Sequence, residues 1–166
     1  VADGFAPGSP LPAPEHQPPL LSSPIFGHKL AVSVAEEACY PKHLDNVTGG
    51  ADKRKLTAVY YPNAGWDAEA RGGCIRLFDA LEPPTYTDVA PAGEGGADRV
   101  LLFWSDLLVH EVLPMRVPPG QPVDDDDAHH RHTFTLWLTT ENDASLLDER
   151  SPLYRLRVEH YPDKRE

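Results

Sequence analysis

The sequence is short of the features that mark several protein classes. It has 2 cysteines in 166 residues, too few for a disulfide framework, and they lack the paired C-x-x-C spacing of a structural zinc site. A reducing compartment is the default, and a cytoplasmic or nuclear location is expected. No run approaches the ~20 apolar residues of a membrane-spanning helix, and the N-terminus has no basic-then-apolar leader. No basic stripe occurs either: 15 Lys+Arg against 26 Asp+Glu give a formal net charge of -11, whereas nucleic acid and anionic membranes require a basic face. Neither is an expected partner, and a soluble monomer is expected. The chain opens on Val1 rather than Met, which is also how a fragment of a longer chain would read.

What the chain does have is 18 prolines and 12 glycines, which leave little room for long helices. Seven of the prolines (Pro7, Pro10, Pro12, Pro14, Pro18, Pro19 and Pro24) fall in the first 25 residues. Residues 1–27 therefore read as a flexible lead-in, either a plain linker or a polyproline-type ligand, and residues 28–166 as one domain. Short apolar or alternating runs bounded by turn residues follow: Lys29 to Val34, Lys55 to Tyr61, Cys74 to Phe78, Val100 to Trp104, His132 to Thr139 and Leu153 to His160. They predict an all-β core with minor helix, a sandwich or jelly roll. Asp143 to Glu149 has room for one or two helical turns. Pro83 to Ala97 reads as structural spacing, and residues 115–130 as an inserted loop carrying the acidic run Asp124 to Asp127. That run is either hydrated, mutually repelling charge or a divalent-cation site.

Chemistry enters with His43-Leu44-Asp45. On a strand, residues two apart share a face, so the imidazole and the carboxylate would project together. An exposed strand can carry both harmlessly, and a metal site needs a third ligand. His110 is the best candidate, because it follows an apolar strand and the turn-like Ser105-Asp106. Two histidines and a carboxylate on one face are the donor set of non-haem Fe(II) oxygenases, which keeps coordination positions open. The strand from Arg131 separates by parity, with Arg131, Thr133, Thr135 and Trp137 on one face and His132, Phe134, Leu136 and Leu138 on the other. The first set suits a polar pocket in which arginine clamps a carboxylate; a surface ion pair is the other reading of Arg131 alone.

Together these stretches resemble a known family. K-H-L-D-N at Lys42, A-V-Y-Y-P-N at Ala58, G-W-D-A at Gly65, G-G-C-I-R-L-F at Gly72, D-R-V-L-L-F-W-S-D at Asp98, H-E-V-L-P at His110 and R-H-T-F-T-L-W at Arg131 occur in family order over roughly residues 29–140. The family is that of the Fe(II)- and 2-oxoglutarate-dependent dioxygenases of the prolyl 4-hydroxylase type, and within it the oxygen-sensing branch that hydroxylates hypoxia-inducible factor.

The resemblance implies a double-stranded β-helix and makes His43, Asp45 and His110 the ligands of Fe(II). It implies Arg131 and Tyr61 as partners of the distal carboxylate of 2-oxoglutarate, Thr135 and Trp137 as pocket lining, and Tyr40 either as a tyrosine facing the cosubstrate or as its neighbour. It further implies O2 as cosubstrate, ascorbate as reductant, and release of succinate and CO2. The expected substrate is a peptide or protein containing proline, hydroxylated at C4, and the acidic chain suits a basic or neutral peptide. The same chemistry on another side chain or a small molecule is the alternative, and a metal-dead jelly-roll binding module is the rival from another class. The chain also departs from the pattern. Arg131 lies farther beyond His110 than in relatives, the excess falling in residues 115–130. The stretch before His43 is too short and too Pro-rich for the helices that buttress relatives. Asn46-Val47-Thr48 fits the glycosylation sequon, but its place beside the H-x-D triplet argues against that use.

Overall fold

A computed structural model describes residues 20–34, 37–79, 85–118 and 129–161. Eight strands run in chain order: β1 (Leu21–Ser33), β2 (Tyr40–His43), β3 (Arg54–Tyr61), β4 (Ile75–Leu77), β5 (Thr87–Val89), β6 (Arg99–Trp104), β7 (His110–Val112) and β8 (Arg131–Thr140). The described residues also include two short helices, α1 (Ala68–Arg71) and α2 (Pro152–His160), and the 3-10 turns at Glu94–Gly96 and Asp143–Ser145. The strands form two antiparallel sheets of four, ordered β1-β8-β3-β6 and β2-β7-β4-β5. This is the expected jelly roll.

Strand parity decides what each sheet encloses. In β3 every second residue is buried: Lys55, Thr57, Val59 and Tyr61 face inward. Register carries that face across the sheet, pairing Val59 with Thr135 of β8 and with Leu101 of β6. Val59, Tyr61, Ile75, Leu77, Phe103 and Leu108 make the buried core between the sheets, each contributing ~1.5–3 kcal/mol by leaving water. The core fills the β4 and β6 side, leaving the β1 and β2 side open for a cavity.

Several expectations change in contact with the structure. Leu153 to His160 is not a strand but helix α2. Its sequence satisfies both periods, since Tyr154, Leu156 and Val158 alternate while Leu153, Leu156 and His160 recur at helical spacing. The termini decide: Ser151 caps the helix by accepting from Leu153 N–H, and Pro152 stands at its first position, where the missing N–H costs nothing. Strand β1 begins at Leu21, inside the stretch whose prolines suggested a lead-in, because Leu21, Ile25 and Gly27 pair with Thr140, Leu138 and Trp137 of β8. Pro83 to Ala97 contains β5 and a 3-10 turn at Glu94–Gly96. Asp143 to Glu149 makes only a 3-10 turn at Asp143–Ser145. The acidic run Asp124 to Asp127 lies outside the described residues.

Candidate active site

The H-x-D triplet does not lie on one strand. His43 ends β2 and Asp45 sits in the bend after it, while Leu44 between them is buried at 4% exposure and anchors the turn. The two side chains still converge: His43 Nε2 lies 3.7 Å and His110 Nε2 3.9 Å from Asp45 Oδ1. One donor atom from each residue falls within 4.8 Å of the others. β2 and β7 bring the histidines together, since His43 pairs with His110 across the ladder, and their rings stand 4.2 Å apart.

Both imidazoles are set by their second nitrogen. His43 Nδ1 lies 2.8 Å from the carbonyl of Pro41, and His110 Nδ1 3.1 Å from that of Leu108. A carbonyl only accepts, so Nδ1 carries the proton and Nε2 presents its lone pair to the cluster. Burial pushes the His110 pKa down to about 4, against the pull of Asp45, so the ring is neutral at pH 7 and needs to lose no proton to bind a cation.

Asp45 is held from behind. Thr57 Oγ1 donates to its Oδ2 at 2.6 Å and Trp137 Nε1 at 3.2 Å, which leaves Oδ1 facing the histidines. Because the Thr57 proton is committed to Asp45, Ser105 Oγ at 2.7 Å is the donor to Thr57. Burial raises the Asp45 pKa, but His43, His110, Thr57 and Trp137 together outweigh it and hold the carboxyl at about 2. A charged carboxylate beside two imidazole lone pairs is a donor set for a divalent metal with open positions.

A cavity of ≈ 490 Å³ extends from this cluster and is lined at its far side by Tyr61, Arg131 and Thr133. Arg131 is only 4% exposed, and its Nε has no hydrogen-bond partner. Burial pushes its pKa below the ordinary arginine value. A buried cation with an unsatisfied N–H is costly until an anion meets it. Tyr61 stands beside it, with the Arg131 guanidinium carbon 5.2 Å from the ring centroid. Burial lifts the Tyr61 pKa, against Arg131, so its hydroxyl stays protonated. A dicarboxylate chelating the metal at one end and meeting Arg131 at the other fits this arrangement.

Arg131 owes its place to two devices that reading single motifs misses. Gly73 adopts φ +72°, and a Cβ on it would stand 2.9 Å from Arg131 Cδ, so the Gly72-Gly73 pair keeps the space that the arginine fills. Asn63 of the Y-Y-P-N stretch accepts from His132 N–H at 2.7 Å and donates to the carbonyls of His132 and Pro91. It thereby ties the end of β3 to the start of β8. Asn46, fully buried, donates to the carbonyls of Asp52 and Arg54 and accepts from Gly49 N–H; its amide is consumed in folding the loop after Asp45. Of the remaining expected residues, Thr135 and Trp137 line the cavity, with the Trp137 indole on Asp45. Tyr40 lines its mouth at 49% exposure, its ring 4.5 Å from that of His43.

Comparison with known proteins agrees with this chemistry. The family described as "2OG-Fe(II) oxygenase superfamily" matches residues 30–139. The chain is 33% identical over 120 residues to the "Hypoxia-inducible factor prolyl hydroxylase" of Caenorhabditis elegans, a match covering 70% of this chain and 14% of that protein. Among solved structures it is similar to a Pseudomonas putida prolyl-4-hydroxylase, with TM-score 0.51 and 29% identity over 69% of this chain and 51% of the other. It is also similar to a Trichoplax adhaerens prolyl hydroxylase in complex with a hypoxia-inducible factor peptide, with TM-score 0.54 and 28% identity over 72% and 47% of the two chains. The chain thus spans about half the length of these structures, and much less of the worm protein.

Proposed function

The chain belongs to the 2OG-Fe(II) oxygenase superfamily, and from that premise we propose that it hydroxylates a peptidyl proline, consuming O2 and 2-oxoglutarate and releasing succinate and CO2. The observation that carries this reading is one cavity with the His43, Asp45 and His110 donors at one side and, at the other, Arg131, whose Nε has no hydrogen-bond partner. Bound iron would supply the oxidative chemistry, activating O2 at the expense of 2-oxoglutarate.

The chain's own residues supply geometry. His43, Asp45 and His110 would hold Fe(II) and leave its remaining positions to ligands. Arg131 and the Tyr61 hydroxyl would take the distal carboxylate, which fixes how far the keto acid reaches. Val59, Ile75, Phe103 and Val112 line the cavity between these polar groups, excluding water where the reaction would otherwise leak. No side chain is called on as a nucleophile or general acid. Prolyl substrates are supported by the relatives, one of which is a complex with a hypoxia-inducible factor peptide.

The test is mass spectrometry of proline-containing peptides incubated with the protein, Fe(II), 2-oxoglutarate and ascorbate. A one-oxygen gain on proline is expected; succinate formation with oxygen gain on another residue or on a small molecule would replace the substrate while keeping the chemistry.

A further inference from the structure

β1 and β2 are edge strands of the two sheets among the described residues, and residues of both line the cavity. The inner face of β1 there is unusual. Gly27, Ala31 and Ser33 are small, and they stand opposite Trp137, Thr133 and Arg131 of β8. Among them is one long side chain, Lys29, paired with Thr135 and therefore on the inward face. Lys29 is exposed and lines the cavity. Its ammonium lies 5.5 Å from the Tyr40 ring centroid, and Tyr40 in turn meets the metal-binding candidate His43 edge to face.

The charges around Lys29 are one-sided. Of the residues lining the cavity, Lys29, Arg54 and Arg131 are cationic and Asp45 alone is anionic. Asp45 is committed to the triad, Thr57 and Trp137, and Arg54 is held by both oxygens of Asp52. No carboxylate of the described residues pairs with Lys29. Among the described lining residues this leaves Lys29 as an exposed cation without a carboxylate partner, in a chain whose formal net charge is -11, and such a charge draws an anionic group out of solution.

We propose that Lys29 is a substrate-recognition residue that takes a carboxylate of the substrate close to the carbon to be hydroxylated, so that the protein prefers anionic substrates. This rests on the reading of the cavity as an oxygenase site. The carboxylate has two sources, an acidic side chain near the target residue in a peptide or the free α-carboxylate of an amino acid. Among the described residues no strand pairs with the outer edges of β1 and β2, and such edges suit an extended chain.

The experiment is calorimetric titration of protein loaded with Zn(II) and 2-oxoglutarate, using two matched pairs of ligands. One pair is a proline peptide carrying Asp within three residues of the proline and its Asn counterpart; the other is L-proline and L-prolinamide. The anionic member of one pair is expected to bind ~2- to 5-fold more tightly, the scale of an exposed ion pair, and the pair that shows the preference identifies the source. Lys29→Met should erase the preference and Lys29→Arg retain it, with affinity for 2-oxoglutarate unchanged in both. Absence of a charge preference in both pairs, its persistence in Lys29→Met, or an equal loss of 2-oxoglutarate binding in that variant would overturn the proposal. A parallel assay of Fe(II)-dependent succinate formation separates the two readings: its failure removes the oxygenase reading, while the binding comparison still decides the role of Lys29.

Discussion

Asp45 must use its two carboxylate oxygens for different tasks, and Thr57 is what separates them. With Oδ2 bound to Thr57 and Trp137, only Oδ1 is turned toward the histidines. Thr57→Val keeps the shape of the side chain and removes the donor, so Fe(II) affinity should fall about tenfold, as when the hydrogen-bond partner of a metal ligand is lost. Anaerobic Fe(II) titration checks this, and unchanged affinity would remove Thr57 from the site. The triad also predicts a pH dependence in chelator-treated protein. His110 is depressed from 6.5 to about 4, so its contribution to stability is fully present above pH 6.5 and is lost as pH falls through 4. Unfolding by urea should show flat stability from pH 8 to 6.5 and then a decline of roughly 3 kcal/mol toward pH 4; His110→Gln should abolish most of that slope. At this scale the sequence was legible where residue type carries the message, as with His43, Asp45, His110 and Arg131. Thr57 is not legible as a partner of Asp45, because a hydroxyl 12 positions away from a carboxylate, on a strand of the other sheet, leaves no local pattern. Gly73 was visible only as part of a Gly-Gly pair, since the space it keeps belongs to a side chain 58 positions later.

Elements show where periodicity runs out. β3 and β8 are long enough for alternation to identify both their existence and their inner faces, whereas β2 and β7 have four and three residues, too few to express a period. They are nonetheless the strands that set His43 against His110. A buried ion pair fastens the next segment: Lys55 of β3 donates to both oxygens of Asp106, at 3.1 and 2.9 Å, and to the carbonyl of Ser145 at 2.7 Å. Leu147 N–H also donates to Asp106 at 2.8 Å. This cluster ties the strand carrying Thr57, and the turn carrying Ser105, to the chain leading into α2. Asp106→Asn leaves the Lys55 charge buried without its partner and should cost roughly 3–5 kcal/mol in urea unfolding, while Lys55→Met in addition should restore part of it. If Asp106→Asn costs no more than a surface substitution, the pair does not hold this segment. Reading α2 as a strand failed for a related reason: apolar spacing satisfied two periods, and only the cap at Ser151 distinguished them.

At the scale of the molecule, the two sheets differ on their outer faces. That of β2-β7-β4-β5 carries Arg76 paired with Asp88 and facing Glu111. That of β1-β8-β3-β6 carries a row of Leu30, Phe134, Tyr60 and Val100 across four strands, with Leu30 77% and Val100 62% exposed. The alternation that made β8 legible thus identified its cavity face correctly, whereas what covers the opposite face is not a question of pattern. Net charge misleads in the same way, because it averages over the whole chain, whereas the described cavity lining carries Lys29, Arg54 and Arg131 against Asp45. In the proposed function His43, Asp45 and His110 would hold iron, and Arg131 with Tyr61 would hold 2-oxoglutarate. The most direct test of that function is succinate released from 2-oxoglutarate by the purified protein, with and without Fe(II), beside His110→Ala. Turnover that requires Fe(II) and disappears in His110→Ala is expected; turnover that survives in His110→Ala, or none in the Fe(II)-loaded wild type, would contradict it.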